Sequence, residues 1–371
     1  MQVVVETCDQ LDIASSFFTE SFRGPLIVGL PAFIWQSVHG AQLIDIPRFM
    51  CDIALTSPNL ESLTTLFVST SEPHDWLLSF SNLRSLTVFT TDPTRELLYH
   101  SAQLPALEEL ALSFGYPTPI INEPPWTPSR YAFPRLKRLD LNASEAPFLL
   151  GAFPERKIQE LKTCSEFGQR DYEGPKFFCE RILRLGRISL VSLHLEVETE
   201  LPASSDPPLL EALWPLTGCL ELRDLTIRHN GQMKMDDKSL GRFVERLKKL
   251  QTFSVYGIET GDPGRSALSL RSLQSILHHC PDIHSITLCI VGFGEHTLEP
   301  VEKQFKNAVS LQFFDPPLQT SEILPIAKHL SNMLSRPPNL IGCKGDEWVM
   351  VANLMRVFHR ARVSERQNGV E

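Results

Sequence analysis

Apolar residues recur along this chain in one short pattern, in which the first, fourth and sixth positions are apolar and most of the others are polar. The four clearest copies begin at Leu107, Leu136, Leu190 and Leu222. In three of these copies the last three positions read apolar, polar, apolar, which is the period of a short β-strand with one buried face. The pattern therefore predicts many short strands of one kind.

Six looser copies fill the intervals, and their anchors are Leu60/Leu63/Thr65, Leu83/Leu86/Val88, Ile158/Leu161/Thr163, Leu250/Phe253/Val255, Ile283/Ile286/Leu288 and Ala308/Leu311/Phe313. Successive first anchors are 22 to 33 residues apart, near and above the roughly 20 to 29 residues of a leucine-rich repeat. Apolar triplets of this spacing arise often by chance in a chain that is 42% apolar. A second signal therefore matters: a proline stands two residues before the first anchor in four copies, at Pro58, Pro105, Pro134 and Pro281.

Several segments between the triplets have the spacing of amphipathic helices. Before Leu250, apolar residues stand at intervals of three and four, at Leu240, Phe243, Val244 and Leu247. One strand and one helix per copy predict an α/β fold, a leucine-rich-repeat horseshoe. In such a right-handed solenoid the parallel strands line the concave face and the helices line the convex face.

The pattern divides the chain into three predicted regions. Residues 1–54 are an N-terminal irregular or degenerate repeat region, residues 55–315 hold the repeats, and residues 316–371 form a C-terminal cap with an amphipathic helix and a short tail. The helix is indicated by an apolar stripe at Trp348, Val351, Ala352, Met355 and Phe358. We interpret this helix as the end of the stack, and the alternative is a helix that binds a partner.

Charge and composition narrow the function. The formal net charge of −9 disfavours nucleic acid as a partner, because binding to phosphates needs a concentrated basic surface. No segment reads as a signal peptide or as a bilayer span. The eight cysteines are scattered without a CxxC pair, which is typical of a reducing compartment. The sequence thus predicts a cytoplasmic protein, with the nucleus as the other compartment, and no membrane partner.

Signatures of common catalytic sites are absent from the sequence. It contains no phosphate-binding glycine loop, no HExxH, no GxSxG and no CxxC. His278, His279 and Cys280 are possible metal ligands, but adjacent residues point to different faces and no matching pair stands at zinc-finger spacing. We therefore predict a binding protein without cofactor or metal, and not an enzyme. An enzyme on an unrelated α/β fold would need a deep pocket with convergent titratable groups.

Three segments, 57–63, 133–141 and 279–286, resemble the leucine-rich repeats of fungal F-box proteins. The resemblance covers about residues 55 to 315. It implies that the repeats capture a protein to be ubiquitinated, while an N-terminal F-box docks on the Skp adaptor of a cullin ubiquitin ligase. Leu30 and Pro31 match the Leu-Pro opening of such boxes, but the tryptophan that usually follows the cysteine is missing after Cys51. The F-box itself is therefore not part of the resemblance, and a ubiquitin-independent scaffold or a regulator of a small GTPase is the alternative.

In the predicted solenoid, the polar positions of each copy point outward from the concave sheet, where strands lie about 4.8 Å apart. Charged residues at these positions form a predicted partner-binding ribbon that comprises Arg84, Glu108, Glu109, Lys137, Arg138, Asp140, Glu160, Lys162, His194, Arg223 and Asp224. Complementary charge on a protein partner would set its orientation there. Alternatively, opposite charges on adjacent strands, such as Glu109 beside Arg138, are cross-strand pairs that keep the sheet soluble.

Overall fold

The computed structural model describes residues 2–4, 26–29, 46–66, 75–90, 95–114, 131–142, 149–151, 153, 158–167, 174–199, 209–229, 235–257, 266–290, 304–307, 309–314, 318–341 and 345–367. The chain forms two compact units. Unit 1 comprises residues 1–166 and 184–186, and unit 2 comprises residues 167–183 and 187–371. Each unit contains its own run of parallel strands.

Unit 1 contains seven described strands, apart from the last residue of the seventh, and their order in the sheet follows their order in the chain. They are β1 (Gln2–Val4), β2 (Leu26–Gly29), β3 (Ser62–Leu66), β4 (Ser85–Thr90), β5 (Glu109–Phe114), β6 (Arg138–Asn142) and β7 (Glu160–Phe167). All neighbouring pairs are parallel. The connections include the helices α1 (Ile46–Thr56) and α2 (Arg95–Gln103) and a 3-10 helix at Asp75–Ser79. Crossovers of this kind are what parallel neighbours require.

Unit 2 continues the same arrangement of strands and helices. Its larger run of parallel strands contains β8 (Ser192–Thr199), β9 (Asp224–His229), β11 (Thr252–Gly257), β13 (Ser285–Cys289), β14 (Ser310–Phe314) and β15 (Asn339–Leu340). Two short strands, β10 (Met235–Asp236) and β12 (Ser266–Ala267), pair separately. The helices are α3 (Gly174–Gly186), α4 (Leu209–Leu213), α5 (Asp237–Arg246), α6 (Leu270–His279), α7 (Thr320–Met333) and α8 (Asp346–Gln367), with a 3-10 helix at Trp214–Gly218.

The triplet anchors form the core in continuous rows across each run of strands. In unit 1 the second anchors pair in register and are at most 2% exposed, and they are Leu63, Leu86, Leu110, Leu139 and Leu161. The corresponding row of unit 2 is equally buried and contains Leu193, Leu225, Phe253, Ile286 and Leu311. Apolar side chains stacked in this way are removed from water only by their neighbours. The prediction of a parallel α/β repeat architecture is confirmed; of its thirty anchor residues only Ala308 lies outside the described residues.

A tight turn precedes several of the strands and explains the proline in three copies, at Pro58, Pro134 and Pro281. The N–H of Leu60 donates to the carbonyl of Ser57 over 3.0 Å, and the N–H of Ile283 donates to the carbonyl of Cys280 over 3.2 Å. Pro58 and Pro281 are the second residues of these turns, where the fixed φ of proline is already correct. The same turn also forms without proline, as between Leu247 and Leu250.

The structure extends the repeat beyond the triplets that predicted it. Strands β1 and β2 precede the first triplet, and β15 follows the last one. In α8 the predicted stripe faces inward: Trp348, Val351 and Met355 are buried, and the Trp348 ring lies 5.2 Å from that of Phe313. The three-region division of the chain stays a prediction. Prolines and glycines in residues 113–132, 196–208 and 257–267 predict surface loops, and these segments lie mostly outside the described residues.

Helices α5 and α6 are joined by one carboxylate. Asp237 accepts hydrogen bonds from the backbone N–H of Ser269 at 2.8 Å, from the Ser269 hydroxyl at 2.6 Å and from the Ser272 hydroxyl. The first residue of one helix thus holds the N-terminus of the next, where partial positive charge favours an anion. This contact links adjacent repeats of unit 2 through polar groups as well as through the core.

We expect Asp237→Ala to lower the free energy of unfolding of unit 2 by about 2 to 3 kcal/mol, because three donors lose a charged acceptor. Urea denaturation measures the loss, and hydrogen exchange should locate it in α5 and α6. Arg242→Ala on the exposed side of α5 is the matched control and should change little. An unchanged midpoint for Asp237→Ala would contradict the assigned role.

Candidate binding surface

The strands of unit 1 present one buried face and one polar face. On β4, Leu86 and Val88 are buried, whereas Ser85, Thr87 and Phe89 alternate with them and point the other way. The strand register places these outward positions in rows that cross β3 to β7. Side chains in a row are therefore direct neighbours on adjacent strands.

The charged residues predicted for unit 1 lie in three such rows, and their signs alternate from strand to strand. In the first row, Glu108 lies between Lys137, whose Nζ is 2.7 Å from Oε2, and Arg84, whose Nη1 is 3.9 Å from Oε1. Both pairs cross to a neighbouring repeat. The row therefore reads positive, negative, positive, without like charges side by side.

The second and third rows repeat this alternation on β5, β6 and β7. The Arg138 guanidinium bridges Glu109 at 2.7 Å and Glu160 at 2.9 Å, so one cation joins three strands. Lys162 Nζ lies 3.2 Å from Asp140 Oδ2. The predicted cross-strand pair of Glu109 and Arg138 is confirmed.

We name these eight side chains the ion-pair lattice: Arg84, Lys137, Arg138 and Lys162 with Glu108, Glu109, Asp140 and Glu160. Four positive and four negative charges give a net charge of zero, and all eight take part in at least one of five ion pairs. The geometry favours the structural interpretation of these residues, because their charges are already matched within the sheet. Whether a partner contacts them stays a prediction.

Electrostatic effects in the lattice follow this pairing. The hydrogen bond that Lys137 donates lowers the pKa of the Glu108 carboxyl, and the charges of Lys137 and Arg84 lower it further. Glu160 and then Glu109 raise the pKa of the Arg138 guanidinium. The charged forms of both residues are thus favoured by their neighbours, although solvent reaches all of these side chains and weakens each pair.

The three predicted residues of unit 2 lie in a different environment. His194 is half-buried on β8 beside Thr226 of β9, and Asp224 begins β9 between Ser192 and Thr252. Arg223 is exposed just before β9. Within the described residues, no ion pair involves Arg223 or Asp224. The structure therefore does not combine these residues into a lattice like that of unit 1.

Two features of the outward faces escaped the sequence analysis. In unit 2, Arg228 and Glu196 pair at 3.3 Å one position beyond the triplets of β9 and β8. In unit 1, Phe89 is 41% exposed and lies opposite Ser113. Both follow the last anchor of their copies, because the strands continue past the six-residue pattern. Extending each triplet by one residue would have found them.

The described cysteines and histidines show neither a reactive thiol among the buried cysteines nor a metal site. Burial raises the pKa values of the Cys219 and Cys280 thiols to about 12 and that of Cys179 further, so these thiols are protonated and poor nucleophiles. Burial, and then the neighbouring His278, lowers the pKa of His279. In the described part of the chain, no three His, Cys, Asp or Glu side chains form a group that would hold a metal ion.

Comparison with known proteins does not assign this chain to a family. No model of a known protein family and no curated protein matches this sequence. Among the helices of the described ranges, none has the length and apolar content that crossing a bilayer requires.

We expect Arg138→Gln to lower the urea midpoint of unit 1 slightly at low salt, because two ion pairs across β5, β6 and β7 are lost. The difference from wild type should disappear in 1 M NaCl, where screening removes most of the contribution of exposed pairs. Arg223→Gln removes an exposed arginine without an ion pair to a described residue and should have no effect at either salt concentration. A salt-independent difference would show that Arg138 acts through packing instead.

We expect Lys137→Met to raise the pKa of Glu108 toward its ordinary value, because the hydrogen-bonded ammonium is the largest cause of the lowered pKa. NMR titration of the Glu108 carboxyl carbon measures this shift. A lowered folded-state pKa stabilises the protein above the unfolded-state value, and that stabilisation is lost as the pH falls through the folded-state pKa. The variant should therefore lose less stability than wild type on acidification below about pH 4.5. An unshifted Glu108 titration would contradict the pairing.

Proposed function

We propose that this chain is a protein-binding leucine-rich-repeat module that recognises a substrate protein for an F-box type ubiquitin ligase, in the cytoplasm or the nucleus. The observation that carries the proposal is the outward face of the parallel strands, which presents side chains from neighbouring repeats in register. The resemblance of the repeats to those of fungal F-box proteins supports the ligase context. The proposed role requires no catalysis, cofactor or metal.

The physical basis of the proposal is preorganisation. Side chains on strands whose backbones are hydrogen-bonded on both sides lose little conformational freedom when a partner binds. Neighbouring strands place such side chains about 4.8 Å apart, so a partner can contact several repeats at once. Specificity then depends on which side chains occupy the rows, while the buried anchors need not change.

The first experiment is binding of the purified chain to purified Skp adaptor, measured by calorimetry. If the segment that opens with Leu30 and Pro31 serves as an F-box, Skp binds with 1:1 stoichiometry, and a variant with Leu30→Asp and Phe33→Asp loses this binding. A variant with Arg138→Glu and Lys162→Glu, on the outward face of unit 1, should bind Skp as wild type does.

Absence of Skp binding would rule out a direct Skp contact by this chain and favour a ubiquitin-independent scaffold or small-GTPase regulator. A panel of purified GTPases in both nucleotide states tests the latter directly. Nucleotide-dependent binding that is lost in Arg138→Glu/Lys162→Glu would support a regulator. A flat response across the panel, together with no Skp binding, would leave only the scaffold.

A further inference from the structure

The outward face of unit 1 is divided between charged and uncharged side chains. The ion-pair lattice occupies β5, β6, β7 and the residues just before β4, β5 and β6, whereas β3, β4 and the far half of β5 carry no charge on this face. We name this second area the neutral patch, and it consists of Ser62, Thr64, Ser85, Thr87, Phe89, Ala111 and Ser113. The predicted ribbon of charged residues includes none of them.

Phe89 is the one large apolar side chain of the neutral patch, and 41% of its surface is exposed. Ser113 lies directly across from Phe89 on β5, Leu66 lies directly across on β3, and Thr87 precedes Phe89 by one pleat on β4. An aromatic side chain beside a short neighbour such as Ser113 can be contacted from its face and from that side. Aromatic residues in such positions dominate the affinity of many interfaces.

The lattice determines which partner chemistry suits this face. All eight of its charges are matched within the sheet, so a charged partner that contacts the lattice would have to break existing pairs or lose its hydration without a free counter-charge in the lattice. A partner segment without charge meets no such cost on the neutral patch. There it can bury Phe89 and the methyl groups of Thr64, Thr87 and Ala111, and the hydroxyl groups can hydrogen-bond its backbone.

We infer that the neutral patch binds an uncharged segment of a partner protein, which places an apolar side chain against Phe89 while the ion-pair lattice forms the rim. This inference rests on the proposed protein-binding function and specifies its site and the chemistry of its partner. It reverses the expectation that the charged residues themselves make the recognition contacts.

The test uses a phage library of random 12-residue peptides selected on the full chain, followed by affinity measurements on the enriched synthetic peptides. We expect enriched peptides with net charge near zero and at least one aromatic or large aliphatic residue. Phe89→Ser should weaken their binding at least tenfold. Tyr99→Ser is the matched control, because Tyr99 is an exposed aromatic residue on α2 of the same unit, and it should leave the affinity within twofold.

Arg138→Gln and 0.5 M NaCl should also leave the affinity within twofold, since no ion pair with the peptide is involved. Equal urea midpoints of Phe89→Ser and wild type would show that folding is intact. If the midpoints differ, Phe89→Leu, which keeps an apolar side chain, is used in place of Phe89→Ser. Phe89→Leu should weaken binding less than Phe89→Ser. Enrichment of charged peptides whose binding depends on Arg138 or on salt would overturn the inference, as would binding that is indifferent to Phe89 or no enrichment. Binding of a folded protein elsewhere on the chain would overturn this inference and leave the proposed function intact.

Discussion

The structure depends on one backbone interaction that recurs between neighbouring repeats. The carbonyl of the residue after the first anchor accepts hydrogen bonds from two successive N–H groups of the next copy, as Glu61 does from Arg84 and Ser85 at 2.8 and 2.9 Å. In unit 2 the Val191 carbonyl accepts from Arg223 and Asp224 in the same way. Main-chain hydrogen bonds of this kind could form in several registers, and the buried anchors select this one because a slip of one residue would turn them outward. With the register set, anchors stack on anchors, and each outward side chain acquires defined neighbours.

Because the outward side chains stand in fixed rows, opposite charges on adjacent strands can pair with each other. In unit 1, acids and bases alternate between strands, so the ion-pair lattice compensates its own charges while the chain as a whole carries a net charge of −9. Exposed pairs of this kind contribute little stability individually. Their larger consequence is that the lattice itself holds no unmatched charge, which makes the adjacent neutral patch the more favourable surface for an uncharged partner segment. Phe89 does not contribute to the core, because Leu86 and Val88 of the same strand already fill the buried face.

The potentially reactive groups of the repeats serve mainly to connect them. Cys280 stands three residues before its first anchor, and its thiol contacts the carbonyl groups of Val244 and Leu247 in the preceding repeat. Asp237 uses its carboxylate on the N-terminus of the following helix. Groups that would suit nucleophilic or acid–base chemistry in a solvent-accessible pocket are here engaged by adjacent backbone and hydroxyl groups. This use of functional groups accords with a protein whose proposed activity is binding.

The apolar triplets and their prolines were sufficient to predict the parallel α/β architecture and the pairing of Glu109 with Arg138. They also predicted the strands from β3 onward, except three short ones. These predictions succeeded because strand period and turn geometry are local properties of the chain. The same local reasoning missed β1, β2 and β15, where leucine triplets are absent and pairing with the next strand in the sheet supplies the structure. It also listed the charged residues as one ribbon and identified only the pair of Glu109 and Arg138, since most contacts between charges are not local properties of the chain. Only the folded register revealed that all eight lattice charges of unit 1 are matched, that Arg223 and Asp224 form no ion pair with a described residue, and that Phe89 lies exposed beside the lattice. Those properties depend on distances between residues that are 20 to 30 positions apart in the sequence, and such distances exist only after the repeats have stacked.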